Sequence, residues 1–299
     1  MLRHSSCCGI NYRFYHKAGF LAEKQEGEIR VTSFNRRVML EKQLIIAGLK
    51  INYFQSDSLK NDGIVVFLHG WGSRAEHLKS IFGNLPNFVA LDLPGFGGSD
   101  LPLTPWGMPE FAGFLRLFLA KLEIKNPILV GHSVGGSIII KYLSQGASAK
   151  KAILVASAGI RKRGLRIFIY KIIAKFFKLI FLFPGINIFK DKIRKKFYSA
   201  INSLDYIEAG KMTESYKKII HDDLTDDLRK VKTEVVLIWG EHDQDTPLRY
   251  AKLMQKNIAG SKLFVISDAG HFSFIDRPKE FGEIFSKSLL SADSPLRGR

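Results

Sequence analysis

Pro127-Ile128-Leu129-Val130-Gly131-His132-Ser133-Val134-Gly135 is the stretch on which the reading of this chain turns. An apolar run of buried-strand type leads into a serine with a glycine two positions before it and another two positions after. G-x-S-x-G behind a strand and ahead of a helix makes a sharp turn that lifts the serine hydroxyl above the end of a sheet. The glycines remove side chains that would collide across that turn. Behind it, Gly136-Ser137-Ile138-Ile139-Ile140-Lys141-Tyr142-Leu143 reads as the helix whose N-terminus points at the serine. Alone the pattern is weak, because Gly and Ser are common. Its strand and helix context strengthens it, and so does the rest of the chain.

A serine hydroxyl attacks well only when a base takes its proton, so a histidine and an orienting carboxylate are expected. Glu234-Val235-Val236-Leu237-Ile238-Trp239 reads as a strand and runs into Gly240-Glu241-His242-Asp243-Gln244-Asp245-Thr246-Pro247. Lys262-Leu263-Phe264-Val265-Ile266-Ser267 reads as another and ends in Asp268-Ala269-Gly270-His271-Phe272. Serine, acid and histidine thus follow in order, each past the end of a predicted strand, where open α/β sheets place their chemistry. Asp245 rivals Asp243 as the acid. Upstream, the strand Gly63–Leu68 runs into His69-Gly70-Trp71-Gly72. Backbone N–H groups there and at Val134 suit the negative oxygen of a tetrahedral intermediate. A further strand, Phe88–Leu91, runs into the turn Asp92-Leu93-Pro94-Gly95-Phe96-Gly97-Gly98-Ser99. His69 reads as a turn residue and His132 as a spacer. His242, Asp243 and Asp245 adjoin one another, but metal sites draw ligands from several elements, so no metal is expected there.

With HGWG, DLPGFGGS, GHSVGG, GEHDQDTP and GHF in this order, the chain resembles the α/β-hydrolase superfamily from about residue 40 to 290. The resemblance implies an α/β fold: a mostly parallel sheet flanked by helices, with a helical cap inserted after the sixth strand. It implies Ser133 as nucleophile, His271 as general base, Asp243 as acid, and Trp71 and Val134 as oxyanion donors. The family pattern G-x-x-D-x-x-x-P lands on Gly240, Asp243 and Pro247. No cofactor is implied. Ser133 sets the chain apart from epoxide hydrolases and haloalkane dehalogenases, which carry aspartate at the elbow. Proline iminopeptidases usually show G-G-S-W-G there, which is absent. The expected division is an extension at 1–38, a core at 39–158 and 232–292, a cap at 159–231 and a tail at 293–299.

The 299 residues can bury a sizeable core, and 46% hydrophobic with 24% charged content is ordinary for a globular chain. The net charge of +17 is not ordinary, and it is unevenly placed. Residues 158–200 hold twelve Lys/Arg against the single Asp191, and residues 1–38 hold seven against three acids, so the rest is close to neutral. Cys7 and Cys8 are adjacent and imply neither a disulfide framework nor a metal site. No signal peptide is evident. Residues 1–38 read either as a targeting or membrane-touching tail or as sequence ahead of a start at Met39, and poorly ordered in both cases. A cytoplasmic location, at most peripheral on a membrane, is expected.

Within Arg163–Phe183, Lys171, Lys175 and Lys178 share one helical face and apolar residues cover the rest. The lysines rule out a transmembrane span. The readings are a lid over an acyl pocket, an amphipathic helix on an anionic membrane, or a docking surface for an acidic carrier protein. No nucleic-acid recognition motif accompanies the charge. The function expected is hydrolysis of a carboxylic ester of a largely apolar acyl group through an acyl-enzyme. Thioester or C–C bond hydrolysis, or non-catalytic lipid binding on the same scaffold, are the alternatives.

Overall fold

Short apolar runs bounded by glycine, proline and polar turns build the centre of this molecule. The computed structural model describes residues 39–60, 62–161 and 209–290. Its strands are β1 (Met39–Ile46), β2 (Leu49–Ser56), β3 (Val65–Leu68), β4 (Phe88–Leu91), β5 (Ile128–His132), β6 (Lys151–Val155), β7 (Val235–Gly240) and β8 (Lys262–Ile266). They form one sheet in the order β1-β2-β4-β3-β5-β6-β7-β8. β2 is antiparallel to both β1 and β4, and every other pair is parallel. The longer helices are α1 (Met108–Lys121), α2 (Val134–Ser144), α3 (Thr213–His221), α4 (Leu248–Asn257) and α5 (Pro278–Leu290).

The inner strands are buried along their whole length, as strands covered on both faces must be. Alternate residues face opposite layers. Val66, Leu68, Leu129, Leu154 and Leu237 pack with α1, α2 and α4. Val65, Phe67, Val130, Ile153 and Ile238 pack with the turn of helix at Ala75–Phe82 and with Phe281 and Phe285 of α5. Each such side chain contributes about 1.5–3 kcal/mol through burial. In the centre of the sheet, Ile153→Ala would remove about 2–5 kcal/mol. α1 begins where Glu110 reaches back to accept from the Gly107 N–H at 2.7 Å. Met108, Phe111, Ala112, Leu115, Phe118 and Leu119 then recur as one apolar stripe.

Several boundaries differ from the sequence reading. β3 begins at Val65 rather than Gly63. α2 begins at Val134 rather than Gly136. β5 continues to His132, because Gly131 and His132 still pair with Leu154 and Val155 of β6.

The long segment expected as a cap lies between β6 and β7. Its described part, residues 159–161 and 209–231, contains α3 and the helical turn Thr225–Leu228. Arg161 joins the two ends of this part by donating to Ile219 O at 2.9 Å and Asp222 O at 3.2 Å, at the C-terminus of α3, while Met108 N, on the core, donates to Asp222 Oδ2 at 3.0 Å. The extension at 1–38, the Arg163–Phe183 segment and the tail at 293–299 lie outside the described residues. Among the described residues no helix is long and apolar enough to cross a membrane.

Candidate active site

Ser133 stands between the last residue of β5 and the first of α2, with φ 52° and ψ −116°. A non-glycine residue there costs on the order of 1–3 kcal/mol and persists only where its surroundings hold it. They do hold it. Its N–H donates to Val155 O at 3.0 Å, and its carbonyl accepts from Gly136 and Ala158, each at 3.0 Å. A Cβ at Gly131 would lie 2.6 Å from Gly135 C and Gly136 N, and one at Gly135 would lie 2.3 Å from Leu68 O. The G-x-S-x-G spacing is thus a steric requirement of this turn.

The loop after β3 lies against the elbow: a Cβ at Gly70 would sit 3.1 Å from Ser133 Cβ. His69 fastens that loop. It is buried, its Nδ1 donates to Gly70 O at 2.7 Å, and its Nε2 accepts from the Leu93 N–H at 2.9 Å. Burial pushes its pKa down to about 4, so it stays neutral and fills both roles. The Trp71 ring packs on Phe96 at 4.8 Å and on Tyr216 of α3 at 5.1 Å between centroids. The Val134 N–H is among the first of α2, which have no partner within their own helix. The turn after β4 is a brace. Buried Asp92 accepts from Ala75 N at 2.7 Å, Gly98 N at 2.8 Å and Asn52 Nδ2 at 3.1 Å.

Past β7 and β8, His271 Nδ1 donates to Asp243 Oδ2 at 2.9 Å. The carboxylate is buried. Its Oδ1 accepts from the N–H groups of Asp245 at 2.9 Å and Thr246 at 2.8 Å, and its Oδ2 also accepts from Thr246 Oγ1 at 2.7 Å. Burial pushes the Asp243 carboxyl up. Its bonds to His271 and Thr246 more than offset that, leaving it below the usual carboxylate range. Asp243 is therefore the acid that meets the imidazole, and Asp245 adds its backbone N–H.

The grouping of His242 with Asp243 and Asp245 does not form: exposed His242 faces Asp268 Oδ1 at 4.0 Å. Asp243, Asp245 and His271 do bring potential ligand atoms within 4.8 Å of one another. The Asp243 oxygens there are already taken by the bonds just described, which suit an imidazole better than a cation.

Sequence reasoning missed two residues. Thr246 holds Asp243 through both its amide and its hydroxyl, and its Oγ1 lies 3.0 Å from Ala156 O and 3.3 Å from His271 Nδ1. Its place shortly after an aspartate is a turn spacing that the sequence did offer. His132 contacts His271, at a sequence distance that gives no local signal.

Comparison with known proteins bears on the family and the fold. The model of the "Alpha/beta hydrolase family" matches residues 65–284. The AB hydrolase superfamily protein YisY of Bacillus subtilis is 25% identical over 243 residues, covering 75% of this chain and 90% of that protein. The 2-hydroxy-6-oxo-6-phenylhexa-2,4-dienoate hydrolase of Comamonas testosteroni is 22% identical over 247 residues, covering 74% and 85%. The crystal structure of an esterase from Exiguobacterium antarcticum superposes with a TM-score of 0.63 at 22% identity, covering 82% of this chain and 97% of that one. The chain belongs to the alpha/beta hydrolase family.

Proposed function

We propose that the protein is a serine hydrolase that cleaves carboxylic esters of largely apolar acyl groups through an acyl-enzyme. The 2.9 Å bond from His271 Nδ1 to buried Asp243 carries the reading, because it fixes the tautomer and leaves Nε2 as the base. In this reading Nε2 takes the proton of Ser133 as Oγ attacks the carbonyl. The N–H groups of Trp71 and Val134 stabilise the oxyanion, and loss of one such donor costs about 10²–10³ in rate. His271 then gives its proton to the leaving alkoxide, and water attacks the acyl group with the same imidazole as base. An apolar acyl group is supported by the rings of Trp71, Phe96 and Tyr216, and by Met212, which packs on Gly95 in the same turn as Phe96.

The test is fluorophosphonate labelling together with turnover of p-nitrophenyl esters of rising chain length. Wild type should be labelled and active, and Ser133→Ala should be neither. Labelling that persists in Ser133→Ala would assign the nucleophile elsewhere. The relative from Comamonas testosteroni is named for hydrolysis of a dienoate, so that dienoate and an acyl-thioester belong in the panel. Preference for either would change the bond cleaved and leave the residues in their roles.

The same reading extends to partners. The basic excess at 158–200 draws the chain to anionic membranes, with each Lys or Arg near such a surface worth about 1 kcal/mol. Replacing Lys171, Lys175 and Lys178 by glutamine should weaken salt-sensitive co-sedimentation with anionic vesicles by roughly two orders of magnitude. Equal, salt-insensitive partitioning of both forms would leave an acidic carrier as the partner to test.

A further inference from the structure

Ser133 and His271 follow different strands of the sheet, β5 and β8, with β6 and β7 between them. The base follows β8, an edge strand whose Val265 is 39% exposed. Asp243 orients the imidazole but ties it to β7, not to the nucleophile. A direct tie does exist. His132, the residue before the nucleophile, is buried, and its Nε2 lies 3.0 Å from the backbone oxygen of His271.

A carbonyl oxygen only accepts, so Nε2 of His132 carries the proton. Burial, and then the neighbouring His271, push the pKa of His132 down to about 3, so it remains a neutral donor throughout the working range. Its ring stands 4.7 Å from that of His271, 5.2 Å from Phe272 and 5.3 Å from the edge-on Phe274. On its other side, a Cβ at Gly70 would come within 3.2 Å of its Nδ1. The imidazole therefore touches the loop that carries the base and the loop proposed to carry an oxyanion donor.

We propose that His132 is a positioning residue whose Nε2–H holds the backbone of His271 against the elbow, setting base and nucleophile in mutual register. The inference rests on the roles given to Ser133 and His271 above. A packing role alone would need only a ring between Phe272 and Phe274. The donor is what a carbonyl acceptor requires. A displacement of about 1 Å between reacting groups costs about 10²-fold in rate.

The test uses the full chain and a p-nitrophenyl ester that wild type cleaves, with kcat, KM and thermal unfolding measured for H132F, H132Q and H132N. Phenylalanine keeps the ring and removes the donor. Glutamine places an amide N–H about as far from the backbone as Nε2, and asparagine falls one methylene short. Expected is a kcat lower by about 10–100-fold in H132F and H132N, with KM within about twofold, and recovery of most of that loss in H132Q. Unchanged kcat in H132F and H132N, or a loss in H132Q as large as in H132F, would overturn the inference. If H132F does not fold, the contrast between H132Q and H132N decides. A wild type neither labelled by fluorophosphonate nor active overturns the underlying assignment as well, whereas an active wild type with indifferent variants overturns only this one.

Discussion

Asp243 Oδ1 accepts from two backbone N–H groups and Oδ2 from the Thr246 hydroxyl and His271 Nδ1, so both oxygens are held. An amide in its place would present a donor to an imidazole N–H and favour the other tautomer. Asp243→Asn should therefore lower kcat by about 10⁴, as in the serine-protease precedent. Asp245→Asn leaves the backbone N–H in place and should cost less than about tenfold. Steady-state kinetics on one ester separates the two, and a reversed order would move the acid by two residues. Thr246→Val keeps the amide bond and the shape but removes the hydroxyl. It should cost about tenfold in kcat with little change in KM, the size of one neutral hydrogen bond. The Asp243 and His271 that the fold pairs were legible as residue types at strand ends. Thr246 and His132 were not, because their roles appear only once the chain is closed: the partners of His132 lie on the loop after β8.

At the scale of elements, Gly135 and Gly113 make opposite predictions from the same substitution. A Cβ at Gly135 would meet the Leu68 carbonyl at 2.3 Å, backbone that cannot step aside without moving β3. Gly135→Ala should destabilise by about 2–4 kcal/mol and abolish fluorophosphonate labelling. A Cβ at Gly113, inside α1, would meet nothing within 4 Å. Gly113→Ala should therefore stabilise by about 0.5–1 kcal/mol and leave labelling unchanged. Urea unfolding and labelling on both variants check the pair. Strands such as β4 and β7 were readable because buried strands are continuous apolar runs between turn signals. The end of β5 was not, since Gly131 and His132 are poor strand formers kept in the ladder by their partners on β6.

For the whole molecule, the buried histidines set how stability responds to acid. In the unfolded chain histidine titrates near 6.5. Burial in the fold lowers His69 to about 4 and His132 to about 3, and lowers His77 as well. Between those values the unfolded chain binds protons that the fold excludes, so stability falls as pH drops below 6.5. Each of the two most buried histidines contributes about 1.4 kcal/mol per pH unit, roughly 4 kcal/mol together at pH 5. Asp243 acts in a lower window. Its depressed carboxyl contributes stability that is fully present above the ordinary carboxylate value and is lost as pH falls through the folded one. Denaturant midpoints at pH 8, 7, 6 and 5 should show the decline. In H132Q the slope below pH 6.5 should shrink by roughly half, and an unchanged slope would mean that His132 is protonated in the fold.

Ser133, Trp71 and Val134 precede the segment inserted after β6, whereas Asp243 and His271 follow it. Translation delivers these groups in that order. Under the assignment proposed above, a chain still emerging from the ribosome carries a serine with nothing to take its proton. A chain severed within the insertion would yield two inactive halves, one with the nucleophile and the other with the acid and base. Mixing the halves should restore turnover to the extent that β7 re-pairs with β6, which makes recovered esterase activity a direct reporter of sheet assembly. Under that assignment the same order leaves Ser133 without a base until the last strand has docked.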